Sequence, residues 1–142
     1  MRPSVPLLLG LLACTGGKKD GADSASSDST EPSTVTEDSP VVSGVGFAVC
    51  APDTDGVDMW SVSVNVSDPQ DDIASTGASV SVMDGADTLA VYDLACGSGS
   101  CSGSFSAGWG GVTCDIGKAS VFRFVVVDEL GNTSAAYDYT PV

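Results

Sequence analysis

Histidine is absent from the 142 residues, and lysine and arginine together number only five. Without histidine, the chain lacks the commonest general base near neutral pH and the commonest metal-binding side chain. Serine is abundant, but no histidine, suitable lysine or G-x-S-x-G turn is present to activate a serine as a nucleophile. The sequence therefore predicts a protein that is not an enzyme.

The scarcity of basic residues contrasts with an excess of acidic ones. Aspartate and glutamate number 19, and the formal net charge is −14. A protein of this charge repels the phosphates of nucleic acids and anionic lipid headgroups. We therefore expect no nucleic-acid partner and no electrostatic binding to a lipid surface.

The apolar run near the N-terminus is too short to span a bilayer. Val5–Ala13 has the length of the hydrophobic region of a signal peptide. It ends in Leu11-Leu12-Ala13-Cys14, which resembles the lipobox of bacterial lipoproteins. The resemblance implies that a diacylglycerol is attached to Cys14, that the chain is cut before this cysteine and that the new amino group is acylated. Several acyl chains give stable anchoring. The alternative is an ordinary secretory signal with an incidental cysteine.

The segment after Cys14 has almost no apolar side chains. Between Thr15 and Pro40 the only ones are Ala22, Ala25 and Val35, and the rest is mainly Gly, Ser, Thr, Asp and Glu. Such a segment cannot bury a core and is predicted to be a disordered tether. The predicted organisation is a signal peptide at residues 1–13, a lipidated cysteine and linker at residues 14–40, and a folded domain at residues 41–142. The expected location is the cell envelope, with the lipid in the outer membrane.

The apolar residues of the predicted domain show no helical periodicity. Apolar and polar residues alternate instead with a period of two. In Asp58–Ser67, for example, Trp60 and Val62 lie on one face and Ser61 and Ser63 on the other. Seven short strands of this kind predict an all-β sandwich of two sheets. The predicted strands are Ser43–Cys50, Asp58–Ser67, Ala78–Met83, Thr88–Cys96, Cys101–Ala107, Val121–Val127 and Thr133–Thr140. The first strand should carry three apolar side chains on one face: Val45, Phe47 and Val49.

The last two strands are predicted to form a closing hairpin at Ala119–Val142. Either Gly131 or Asn132 should take the positive φ angle of its turn. Glycine-rich residues 108–118, before the hairpin, are predicted to be irregular. The seventh strand should place three side chains on one face: Ala135, Tyr137 and Tyr139.

Two segments resemble bacterial immunoglobulin-like domains of the fibronectin III, PKD and cadherin-like kind. They are VSVNVSDPQDDI at Val62–Ile73 and FVVVDELGNTS at Phe124–Ser134. The resemblance implies a seven-stranded immunoglobulin-like β-sandwich. It indicates an architecture and no activity.

Four cysteines follow Cys14, an even number that predicts two disulfides in an exported domain. In an immunoglobulin-like sandwich, alternate loops lie at the same end, so Cys50 and Cys114 share one end and Cys96 and Cys101 share the other. Crossed pairs would span the domain, whereas a disulfide needs Cα atoms closer than about 7 Å. The expected pairs are Cys50–Cys114 and Cys96–Cys101. A redox-active pair at Cys96 and Cys101 is the alternative, although its CxxxxC spacing is too wide for thiol activation.

The same implied topology gathers acidic residues at the ends of the sandwich. The loops after the second and sixth strands hold five candidate metal ligands: Asp68, Asp71, Asp72, Asp128 and Glu129. Clustered carboxylates suit Ca²⁺. The favoured interpretation is that they form turns and keep the domain soluble, so that no metal or other cofactor is expected.

Two further surface features each have two possible interpretations. Trp109 lies among glycines. The favoured interpretation is a cover for the open edge of the sandwich, and the alternative is a stacking platform for a sugar ring. Val125 and Val127 form an apolar stripe on the outer face of their strand. The stripe is either a partner face or is covered by neighbouring side chains.

The sequence favours a membrane-anchored extracytoplasmic lipoprotein whose non-catalytic domain serves adhesion, scaffolding or envelope assembly. A protein or cell-surface partner is expected, and the lipid anchor is the contact with the membrane. One rival is a module that binds glycan or calcium. Another is an accessory subunit of an envelope or secretion complex.

Overall fold

The computed structural model describes residues 35–142. The predicted signal peptide at residues 1–13, the lipidation site Cys14 and most of the predicted linker lie outside the described residues. The end of the linker is described, and there Ser39 and Pro40 are buried. Buried residues are thus already present just before the predicted boundary at Val41. Among residues 35–142, no helix is long and apolar enough to cross a membrane.

The described chain is all-β, as predicted, with seven antiparallel strands and one short helix. The elements are β1 (Val41–Pro52), β2 (Asp58–Ser67), β3 (Ile73–Asp84), β4 (Asp87–Gly97), β5 (Ser100–Ser106), α1 (Cys114–Lys118), β6 (Val121–Asp128) and β7 (Tyr137–Tyr139). Hydrogen bonds join the strands into one sheet in the order β1-β2-β5-β4-β3-β6-β7. Within this sheet β4 and β5 are joined by only three residue pairs, between 95–97 and 100–102.

The sheet folds back on itself around a single core. Trp60 of β2 and Phe122 of β6 lie far apart in the strand order, yet their ring centroids are 4.9 Å apart in an edge-to-face arrangement. The core also contains inward residues of β2, β3 and β6, which alternate with a period of two as the sequence predicts. These include Val62, Val64, Val80, Val82, Phe124 and Val126, all fully buried.

The prediction for the face of β1 was wrong. Phe47 and Val49 are exposed, whereas Val45 packs against the core. Two irregularities in the register with β2, between Val42 and Gly44 and between Val45 and Phe47, each shift the strand by one residue. Because side chains alternate across a strand, each such bulge exchanges the inward and outward faces.

The closing hairpin forms, but its second strand is shorter than predicted. Strand β7 contains only Tyr137–Tyr139, and an isolated bridge joins Val127 to Thr133. Tyr137 and Tyr139 pack against the core, while Ala135 is exposed and does not share their face. Gly131, one of the two predicted turn residues, has the positive φ angle of 88°.

The glycine-rich segment before the hairpin contains a helix that the sequence prediction missed. Thr113 caps α1 by accepting a hydrogen bond at its side chain from the backbone N–H of Ile116. A helix of five residues is too short to show a period of 3.6 in the sequence. Gly117 of this helix is buried against the indole of Trp60, whose Nε1 lies 2.9 Å from the position of an added Cβ.

The contact between Gly117 and Trp60 generates a stability prediction. In an exposed helix, replacing glycine by alanine stabilises by about 1 kcal/mol. Here Gly117→Ala should destabilise by about 1–3 kcal/mol, because the methyl group would overlap the fully buried indole. Urea unfolding monitored by circular dichroism measures the change. Gly44→Ala is the control, since nothing lies within 4 Å of its added Cβ. It should leave the stability unchanged or raise it by up to about 1 kcal/mol, because glycine weakens a strand interior. A Gly117→Ala protein as stable as the wild type would contradict the packing described here.

Candidate functional site

A disulfide lies at each end of the domain. Cys50 near the end of β1 and Cys114 at the start of α1 have an S–S distance of 2.01 Å. Cys96 and Cys101 face each other across the β4–β5 hairpin with an S–S distance of 2.05 Å. These are the two pairs expected from the sequence. Asp58 lies close to the sulfurs of Cys50 and Cys114, but sulfurs bonded to each other are not thiolate metal ligands.

The loop between β2 and β3 is built around Asp68. Its Oδ2 accepts hydrogen bonds from the backbone N–H groups of Gln70 and Asp72, both at 3.1 Å. Between them Asp71 takes a positive φ angle of 58°, a conformation that aspartate adopts more readily than most residues. The Asp71 side chain is exposed. Asp68 thus organises this loop through hydrogen bonds that any turn-forming aspartate can make.

The loop after β6 is built in a similar way around Asp128. Its Oδ1 accepts a hydrogen bond from the backbone N–H of Asn132, and its Oδ2 accepts one from the Asn132 side-chain amide, both at 2.7 Å. The two loops are joined where the backbone N–H of Glu129 donates to the carbonyl of Asp72 at 2.8 Å. The Glu129 side chain itself is exposed.

Three of the five candidate metal ligands come together as a result. Asp68, Asp72 and Asp128 each place one carboxylate oxygen within 4.8 Å of the others, whereas Asp71 and Glu129 are not part of this group. Asp128 is only 2% exposed. The Oδ1 atoms of Asp68 and Asp72 are buried and receive no hydrogen bond when both carboxyls are ionised.

This crowding separates the pKa values of two neighbouring carboxyls. The pKa of Asp72 is raised, mainly because its protonated carboxyl donates a hydrogen bond to Asp68, and further by desolvation and by the charges of Asp68, Asp128 and Glu129. Desolvation acts to raise the pKa of Asp68 too. The hydrogen bonds that Asp68 accepts from Asp72, Gln70 and Asp71 outweigh it, so that the pKa of Asp68 is lowered.

The chemistry open to this acidic cluster is proton sharing or weak cation binding. Calcium takes six to eight oxygen ligands. Both oxygens of Asp128 and one of Asp68 already accept hydrogen bonds from the chain. The three carboxylates therefore offer an incomplete set of calcium ligands. That no metal is bound here stays a prediction.

A second feature surrounds Trp109, whose side chain is 81% exposed. It therefore does not form the cover over the edge of the sheet that the sequence favoured. Beside the indole lies an open groove of about 480 Å³. Its lining includes Asp53 from the β1–β2 loop, Tyr92 and Asp93 from β4, and Ser104 from β5. A second, shallow depression of about 570 Å³ adjoins the indole and is lined by Leu89 and Val91 among others.

Ring stacking and a hydrogen bond fix two residues of this groove, Tyr92 and Trp109. The Tyr92 ring stacks on the buried Phe105 with centroids 3.8 Å apart, and burial raises the pKa of its hydroxyl. That hydroxyl donates to the backbone carbonyl of Trp109 at 2.6 Å. Gly110 follows with a φ angle of 108°, and a Cβ there would lie 2.6 Å from the Tyr92 hydroxyl. The backbone of Trp109 is thus fixed while its side chain projects outward.

Sequence reasoning singled out Trp109 but missed the residues around it. Asp53 comes from the β1–β2 loop, whereas Tyr92 and Asp93 come from β4, and no spacing in the sequence links them to residue 109. The flanking glycines were the only signal, since Gly110 and Gly111 both adopt positive φ angles.

The predicted apolar stripe on β6 is partly covered. Val125 and Val127 are both half-buried, since β6 lies between β3 and β7. More strongly exposed apolar side chains lie on other strands, for example Val49 of β1 and Val91 of β4, each 57% exposed.

The pKa shifts generate a prediction for Asp72. A raised pKa means that the folded state binds the proton more tightly, so its stabilising effect is present at low pH and is lost as the pH rises through that pKa. Asp72→Asn supplies a permanent hydrogen-bond donor toward Asp68 and removes one charge. The variant should melt at a higher temperature than the wild type at pH 7, and the difference should shrink as the pH falls toward 4.

Melting curves across pH test this expectation, with Asp55→Asn as the control. Asp55 is exposed, and its side chain takes part in none of the hydrogen bonds of the described residues. Its replacement removes the same charge away from the cluster. Equal effects of the two substitutions at pH 7, or a lower melting temperature for Asp72→Asn, would contradict the assigned pKa shift.

The described residues thus contain two distinct candidates, an acidic cluster at the end of β2 and β6 and a groove beside Trp109. Comparisons with protein families, with curated proteins and with solved structures find no match for this chain.

Proposed function

We infer that the protein is a lipid-anchored lipoprotein of the bacterial cell envelope, and that its domain binds a protein or cell-surface partner without catalysis. Its role would be adhesion, scaffolding or envelope assembly. The domain would stand outside the cytoplasm at the end of the linker, held by acyl chains on Cys14.

The observation that carries this proposal is the distribution of the five cysteines. The four in the described residues pair with one another, and the fifth is Cys14 in the lipobox-like Leu11-Leu12-Ala13-Cys14. Disulfides persist in exported proteins and are rare in the cytosol. A single remaining cysteine at the end of a signal-like apolar segment is the arrangement that lipidation requires.

The strand order supports an immunoglobulin-like domain. The β4–β5 link is short, so the strands fall into a group β1-β2-β5 and a group β4-β3-β6-β7. Two antiparallel layers with a shared core are the architecture of fibronectin III and related modules. Such a fold is compatible with many functions, so the partner has to be inferred from surfaces rather than from the architecture.

A second candidate function, a glycan-binding module, is favoured by the exposed indole of Trp109 and its groove. The rival of an accessory subunit docked through Val125 and Val127 has less support, because both side chains are half-buried.

Lipidation is tested by Cys14→Ser. In the native bacterium, the wild-type protein should sediment with membranes, and mass spectrometry should find acyl chains on its N-terminal cysteine. The variant should retain residues 1–13 as an uncut precursor, since processing requires the modified cysteine. Thr15→Ser is the matched control and should be processed normally. A Cys14→Ser protein that is cut and released like an unlipidated wild type would overturn the proposal.

A further inference from the structure

The groove beside Trp109 combines aromatic rings with carboxylates. Trp109 and Tyr92 lie along it together with Asp53 and Asp93, and no basic residue is among its lining. Its volume of about 480 Å³ is within the range of ligand sites. An aromatic face attracts cations through its quadrupole, and a carboxylate attracts them through its charge.

The net charge of the domain also favours a cationic ligand. From Val41 onward the sequence has 13 acidic and two basic residues, a formal charge of −11. One of the two, Arg123, is paired with Asp138 through two hydrogen bonds of 2.8 Å. The other, Lys118, is on α1 and does not line the groove. The groove therefore has no cation of its own among the described residues to neutralise Asp53 and Asp93.

The carboxylate of Asp53 is held in position by the chain. Its Oδ1 accepts hydrogen bonds from the backbone N–H groups of Asp55 at 2.8 Å and Val57 at 2.9 Å. These two bonds fix the β1–β2 turn. The other carboxylate oxygen, Oδ2, accepts neither of them. Asp93 is exposed on β4, one residue after Tyr92. A ligand that covers the groove has to compensate both charges, because an uncompensated carboxylate is costly to desolvate.

The depression that adjoins Trp109 differs in character from the groove. Leu89 and Val91 lie there, and their side chains are 41% and 57% exposed. Trp109 thus lines both an acidic groove and an apolar depression. A partner segment that carries a basic residue beside an apolar one can therefore contact both.

We propose that this groove binds a basic side chain, arginine or lysine, that a partner protein presents next to an apolar residue. The ring of Trp109 stacks on the cation, Asp53 and Asp93 neutralise it, and the apolar neighbour covers Leu89 or Val91. A neutral sugar would also stack on the indole, but it would leave both carboxylates without a counter-charge. The groove has this role only if the protein is a partner-binding domain, as proposed above.

The test is a titration of the mature protein with the capped pentapeptide Gly-Leu-Arg-Leu-Gly, observed by NMR. The chain has two tryptophans, of which Trp60 is fully buried, so its indole signal serves as an internal control. The signal of Trp109 should shift and that of Trp60 should not. A peptide with glutamine in place of arginine should bind at least about tenfold more weakly, because the cation–π and charge interactions are lost.

Variants separate a built groove from general attraction to an acidic protein. Asp53→Asn combined with Asp93→Asn should weaken binding about tenfold, and so should Trp109→Ala when binding is measured by calorimetry. Trp109→Phe should restore most of the affinity. The control Asp55→Asn, combined with Asp87→Asn, removes the same charge from residues that do not line the groove, and it should change binding less than twofold.

Three results would overturn the proposal: no shift of Trp109 with the arginine peptide, equal binding of the glutamine peptide, or equal effects of the two pairs of aspartate substitutions. Binding of chitotetraose or maltotetraose, without binding of the arginine peptide, would assign the groove to glycan instead. The lipidation test with Cys14→Ser does not depend on the groove. Failure of the peptide therefore leaves the proposed anchoring intact, and failure of anchoring leaves the peptide result intact.

Discussion

The contact between Trp60 and Phe122 is the interaction on which the rest of the domain depends. It joins the second and the sixth strand of the sheet order and so keeps the sheet folded back on its core. The same indole packs against Gly117 and donates from Nε1 to the carbonyl of Thr113 at 3.4 Å. Through these contacts Trp60 positions α1, and α1 carries Cys114, the partner of Cys50. The packing around Trp60 and the Cys50–Cys114 disulfide therefore lie at the same end of the domain.

Much of this fold was predictable because its strands alternate strongly. Asp58–Ser67 has the predicted bounds, and its apolar face is buried as expected. The face of β1 was not predictable, since its bulges depend on pairing with β2 and leave no mark beyond Gly44 and Gly46. Strand β7 is short because only three of its residues pair with β6. This pairing was not predictable from the local sequence either. Tertiary pairing decided these points, and local sequence did not.

The candidate sites show the same division. Strand order alone predicted that Asp68, Asp72 and Asp128 lie at one end, and they do. It did not distinguish them from Asp71 and Glu129, whose exposure follows from the turn geometry of each loop. The groove beside Trp109 was out of reach because three separated segments line it. The exposed ring of Trp109 with the held carboxylate of Asp53 nearby is the surface that we propose for recognition. In the acidic cluster, by contrast, three of the six carboxylate oxygens already accept hydrogen bonds from the cluster's own loops.

Two disulfides close the domain, and they support the proposed location outside the cytoplasm. Cys50 and Cys114 are 64 residues apart in sequence, whereas Cys96 and Cys101 are five apart. In the chain-entropy model, the longer loop contributes about 4 kcal/mol and the shorter about 2 kcal/mol. The direct measurement is urea unfolding of the two double cysteine-to-alanine variants beside the wild type. Loss of Cys50–Cys114 should cost about twice as much free energy as loss of Cys96–Cys101. Unchanged stability in the first variant, or the reverse order, would contradict this account.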